Sequence, residues 1–176
     1  MAHAMQASVP RLLRPEAAQL SAGMSLAVVV VALLLQLYLP LLWSQLGFFD
    51  LPLLIVVYLA LSQRDVTAGL LMGSAIGLAQ DALTHGPVGL FGIIKTVVGY
   101  LAGSVSLVIE VSYPGARSVL AALFFLVQQL LFWLMQHMLL ANEVDFNLSR
   151  TLIAASAHAG LSLLLYPMLD GLKKTR

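Results

Sequence analysis

The sequence predicts an all-α integral membrane protein, a bundle of about six transmembrane helices with both termini cytoplasmic. Composition is the first reason. Hydrophobic residues make up 60% of the 176-residue chain and charged residues only 10%, whereas soluble domains carry about a quarter charged residues. Mean hydropathy is +0.94. A soluble fold of this length could not hide so much apolar surface from water, so lipid must cover it. The second reason is organisation: long apolar runs alternate with short breaks rich in Gly, Pro and charge. The third is the distribution of Lys and Arg, which fall on alternate breaks.

Residues 1–20 read as a cytoplasmic N-terminal tail, with Arg11 and Arg14 beside Pro10 and Pro15. A cleaved signal peptide is the competing reading, since positive charge precedes an apolar run. That run, Met24 to about Leu46, is longer than a signal h-region of about 7–15 residues, so it is read as a retained first helix. The second segment, Phe48 to Leu61, is short and carries Asp50 and Pro52 at its start, where proline in a first helical turn costs little. Its length suits either a span or a re-entrant segment.

Arg64 and Asp65 mark a polar turn, and a third helix is predicted from about Val66 to Leu83. The stretch Thr84 to Gly89, with Pro87, breaks it. The fourth helix runs from about Leu90 to Ile109, the fifth from about Ser118 to Leu140 and the sixth from about Thr151 to Leu169. Residues 21–172 thus form the transmembrane domain, and 173–176 a basic cytoplasmic C-terminus. If the second segment crosses, one side holds Arg11, Arg14, Arg64, Arg117, Lys173, Lys174 and Arg176, and the other only Arg150, with Lys95 inside a helix. The positive-inside rule favours that arrangement.

Within the helices, Gly69, Gly73 and Gly77 lie four apart on one face, and Gly99 and Gly103 repeat the spacing in the fourth helix. Ala155 and Ala159 do so in the sixth. Such faces let helices approach closely, either within one protomer or against a partner's membrane helix. Gly73→Leu is expected to block assembly if a partner uses the face.

Topology places Gln36, Asp81, Lys95, Gln128, Gln129, Gln136, His137 and His158 at mid-membrane or in the outer half, which predicts a polar layer there. Ionisable groups at such depth face a cavity or one another. Asp81 and Lys95 flank one tight turn and are placed to pair across it. The layer serves helix register through an ion pair and amide hydrogen bonds, or it binds a ligand or a partner helix. A proton relay is disfavoured because no further acid continues the path.

Catalytic patterns are missing. The four histidines, His3, His85, His137 and His158, form no H-E-x-x-H pair. Neither a G-x-S-x-G elbow nor a phosphate loop occurs, and the acids are too scattered for paired-carboxylate chemistry. The absence of cysteine excludes disulfides and thiolate sites. A net charge of +1 argues against nucleic acid as a partner. The sequence reads as non-enzymatic, with no cofactor or metal expected.

Residues 52–103 carry a family resemblance. They read Pro52-Leu-Leu-Ile-Val-Val-Tyr58-Leu-Ala-Leu, then Gly69-x3-Gly73-x3-Gly77-Leu78-x2-Asp81, Gly89-x2-Gly92, and Tyr100-Leu101 with Gly103. This resembles MreD, the small membrane subunit of the bacterial rod-shape (cell-elongation) system. Size and helix number are similar over nearly the whole chain, while the specific motif covers about a third. The resemblance implies a scaffold in the bacterial inner membrane. It would bind an MreC-like single-span periplasmic protein and, directly or through it, the MreB filament and the peptidoglycan polymerase and transpeptidase that set cell shape. The motif positions carried over are Pro52, Gly73, Gly77, Asp81 and Gly89, with no catalytic role.

Two other classes compete. The substrate-binding subunits of energy-coupling vitamin transporters are similar in architecture. They couple through an A-x-x-x-A face on the first helix, which Met24 to Ala32 does not show. A lipid-modifying enzyme would need an acid or histidine cluster at the cytoplasmic interface. Arg64-Asp65 and Glu110 are too little for that.

Overall fold

Apolar runs of this length satisfy their backbone polar groups as helices, the natural solution in lipid. The computed structural model describes residues 20–42, 49–84, 87–109, 113–138 and 147–173. They form six helices: α1 (Ala22–Leu42), α2 (Leu51–Gln63), α3 (Val66–Thr84), α4 (Leu90–Val108), α5 (Pro114–Met138) and α6 (Leu148–Asp170). Among the described residues there is no strand. All helices but α2 are long and apolar enough to cross a membrane, which makes this a membrane-embedded, multi-pass protein. The tail, His85, Glu110 and residues 174–176 lie outside the described residues.

The helix starts follow local chemistry. Asp65 Oδ1 accepts hydrogen bonds from the Thr67 and Ala68 N–H groups, which caps α3. Asn147 Oδ1 accepts from Arg150 N–H, so α6 begins at Leu148, a turn before the predicted Thr151. Pro114, read as loop in the sequence, instead opens α5. Proline fits a first helical turn because its missing N–H is not needed there.

α2 is the centre of the bundle. Every residue from Pro52 to Leu61 is buried, as expected for a helix that is apolar all round. Its 13 residues rise only about 20 Å, short of a hydrocarbon core of about 30 Å. Contacts fix its level. The Asp50 N–H donates to His158 Nε2, near the midpoint of α6, whereas Tyr58 Oη donates to Asp170 at the end of α6. α2 therefore starts half-way down the bundle and runs to the end where α1 begins and α6 finishes. Leu20, Tyr58 and Leu169 share one apolar cluster at that end.

α3 and α4 form the tightest pair. A side-chain carbon on Gly69 would overlap the Gly99 carbonyl, and one on Gly99 the Gly69 carbonyl. One on Gly73 would overlap the Lys95 carbonyl, and one on Gly77 the Phe91 carbonyl. At Gly103 the approach is looser, an added carbon lying 2.9 Å from Val66 Cα. The open choice for the glycine face is thereby decided: α4 of the same chain covers it. Ala155 of α6 packs with Phe124 and Phe125 of α5.

At the end where α1 begins and α6 finishes, Asp170 gathers Arg117 (2.7 Å), Lys173 (2.6 Å) and the Tyr58 hydroxyl (2.9 Å). This ties α2, α5 and α6 together where the half-buried carboxylate meets solvent or headgroups.

Candidate functional site

The opposite end of the bundle is built differently, and the reason is the short α2. Asp50 is the N-cap of α2, and its Oδ1 accepts from Leu53 N–H at 2.9 Å. Its Oδ2 meets Lys95 Nζ of α4 at 2.6 Å and Gln128 Nε2 of α5 at 2.8 Å. Gln128 Oε1 accepts from Lys95 Nζ at 3.0 Å, closing a three-residue ring. Lys95 is fully buried and Gln128 nearly so. A buried cation is tolerable only when paired and hydrogen-bonded in this way. The Phe91 ring lies 4.9 Å from the Lys95 ammonium and adds a cation–π contact.

The backbone at the start of α2 is satisfied from neighbouring helices. Gln36 Oε1 of α1 accepts from Leu51 N–H at 3.0 Å. His158 Nε2 of α6 accepts from Asp50 N–H at 3.0 Å, so its Nδ1 carries the proton and donates to the Ala154 carbonyl at 2.7 Å. The imidazole is fully buried and stacks on Phe125, with centroids 3.9 Å apart. Four helices thus converge on one helix N-terminus deep in the bundle. The orphan N–H groups of a helix start need such partners, and here side chains of Asp50 and the neighbouring helices supply them.

The expected pairing of Asp81 with Lys95 does not occur. Asp81 Oδ2 accepts from Gly89 N–H (3.0 Å) and Gly92 N–H (2.9 Å), and Oδ1 from Phe91 N–H (3.0 Å). It caps α4 from the preceding helix, where a negative charge also suits the helix dipole. Gly89 sits at φ 95°, the left-handed conformation that opens α4. The reason is legible in the sequence. Gly69, Gly73, Gly77 and Asp81 continue one four-residue period, so Asp81 falls on the face that meets α4 at the level where α4 begins. Asp81→Ala is expected to cost about 2 kcal/mol, the upper range for loss of a helix cap. Asp81→Asn should recover part of it, as read by urea unfolding in detergent micelles.

Above the start of α2 lies a cavity of about 320 Å³, in the space that a full-length helix would have filled. Gln36, Gln128 and Gln129 reach its wall from α1 and α5, and Gln80 reaches it from α3. Phe49, Phe91, Phe125 and Phe132 supply apolar surface, with the Phe91 and Phe132 rings stacked at 5.8 Å. Asn147 and Arg150, exposed at the start of α6, stand at its rim.

The predicted polar layer thus divides. Gln36 and Gln129 line the cavity, Lys95 belongs to the charge ring beneath it, and His158 accepts the Asp50 N–H beside that ring. Gln136 and His137 do not line it; His137 is exposed and stacks on Trp133 at 5.4 Å. Sequence reasoning treated Asp50 only as a helix start, and it missed Gln80, the phenylalanines and the α6 rim.

The chain matches no family model, no curated protein and no solved structure. Its function must therefore be argued from its own residues.

Proposed function

We propose that this protein is a non-enzymatic, MreD-like scaffold subunit of the bacterial cell-elongation complex. It would sit in the inner membrane with both termini cytoplasmic and bind an MreC-like single-span partner. Through that partner it would help organise the MreB filament and peptidoglycan synthesis.

One observation carries this reading: each of the carried-over motif positions Pro52, Gly73, Gly77, Asp81 and Gly89 has a building role. Pro52 lies in the first turn of α2, Gly73 and Gly77 admit the α4 backbone, Asp81 caps α4 and Gly89 opens it. The described acids are similarly engaged in caps and ion pairs, as Asp50, Asp65 and Asp170 show. A motif spent on holding helices together suits a scaffold better than a catalyst. Orientation is supported by Arg64, Arg117 and Lys173, which lie at the end of the bundle where α1 begins and α6 finishes.

The test is co-purification of the tagged full chain from its native membranes in mild detergent, with mass spectrometry of the associated proteins. A single-span coiled-coil periplasmic protein together with cell-wall synthases is the expected result. Recovery of ATPase subunits with a coupling membrane protein would overturn the scaffold reading in favour of a transporter.

A further inference from the structure

The cavity above α2 holds one unexplained group. Gln80 is only 4% exposed, and its Oε1 has no hydrogen-bond partner among the described residues. A buried carboxamide left unsatisfied costs about 1–3 kcal/mol, so such a group is retained at a cost unless something meets it. The charged and polar groups beneath the cavity are engaged: Asp50, Lys95 and Gln128 by one another, and His158 by two backbone groups. Gln80 lines the cavity and is thus presented to whatever occupies it.

The lining constrains the occupant. Carboxamides predominate among its polar side chains, and each offers a donor and an acceptor at neutral charge. The acid in the wall, Asp50, is already neutralised by Lys95. Four phenylalanine rings contribute apolar surface, Phe91 stacked on Phe132 and Phe125 backed by His158. A volume of about 320 Å³ lies in the range of small-molecule sites. A ring that carries hydroxyls on its rim and C–H bonds on its face matches both halves of this lining. Hydroxyls also satisfy Gln80 whichever way its amide is turned, because a hydroxyl both donates and accepts.

We infer that the cavity is a binding site for a neutral sugar ring, held by Gln80, Gln129 and the phenylalanine rings. The ring arrives either free or as the headgroup of a glycolipid. This inference stands on the cavity alone and is independent of the scaffold reading, so the co-purification result does not bear on it.

The test uses the full chain in nanodiscs of phosphatidylcholine, whose headgroup carries no hydroxyl. Two probes are titrated separately: free glucose in solution, and glucosyl diacylglycerol in the disc. The readouts are the thermal unfolding midpoint and retention of the probe in native mass spectrometry. Wild type is expected to show a saturable upward shift with at least one probe, and which probe works identifies the source. Gln80→Leu, which removes the orphan amide and so should fold at least as well as wild type without probe, is expected to weaken binding by about tenfold, the worth of one lost hydrogen bond. Gln129→Leu provides an independent lining variant, on α5, with the same expectation. No saturable response in wild type to either probe, or a response undiminished in both variants, would overturn the proposal and leave a hydrated void.

Discussion

Lys95→Met is expected to destabilise the bundle by about 3–5 kcal/mol, the loss typical when one partner of a buried ion pair is removed. The magnitude comes from what stays behind. Asp50 would remain buried at the start of α2, and the Gln128 amide that also contacts it carries no compensating charge. The double variant Asp50→Asn with Lys95→Met should recover most of the loss. Asparagine still caps α2, and a neutral pair has little desolvation to offset. Urea unfolding of wild type, both single variants and the double variant closes a cycle whose coupling term isolates the pair. A Lys95→Met protein within about 0.5 kcal/mol of wild type, the range of an ordinary surface substitution, would mean that the ring of Asp50, Lys95 and Gln128 does not form in the membrane.

Gly73→Leu should be comparably damaging, for a steric reason. Even the first side-chain carbon would overlap the Lys95 carbonyl oxygen and lie 2.7 Å from its carbon and 3.2 Å from Thr96 Cα. All three are backbone atoms of α4, so no rotamer change relieves the contact and the helices must separate. Overpacking of this kind costs about 1–3 kcal/mol and more when backbone must move. The same separation would displace Lys95 and loosen the charge ring. Gly160→Ala is the control: nothing lies within 4 Å of the added carbon, and it should stabilise by about 0.5–1 kcal/mol through helix propensity alone. Loss of partner binding in Gly73→Leu would therefore report a disrupted α3–α4 pair and not a vacated docking face. If Gly73→Leu unfolds at the wild-type urea midpoint, the close α3–α4 approach is wrong.

Much of this architecture was legible because it rests on local rules. Apolar run length predicts helices, Asp65 sits immediately before the predicted third helix, and the period of Gly69, Gly73 and Gly77 predicts a close helix approach. Even the polar layer was readable, since alternating direction places Gln36, Lys95, Gln129 and His158 toward one end. Their partners were not. Lys95 has an acid near in sequence, Asp81, and another 45 residues away, Asp50; the ammonium pairs with the distant one. Choosing between them requires the rotation of α4 about its axis, and that is set by the glycine contacts with α3. Once those contacts direct Asp81 to the α4 N-terminus, its carboxylate is consumed by backbone N–H groups.

By itself, then, the sequence determined a membrane-embedded bundle of six helices, one of them short, with a glycine-lined face and polar groups gathered toward one end. Helix formation and lipid burial follow from composition and spacing along the chain, so those features need no knowledge of neighbours. Only the tertiary structure decided that α2 starts half-way down the bundle, that Asp50 is the counter-ion of Lys95, and that a cavity with the unsatisfied Gln80 lies above them. Those features depend on the relative depth and rotation of helices far apart in the chain, which are settled by packing, and packing is not written in any local pattern of residues.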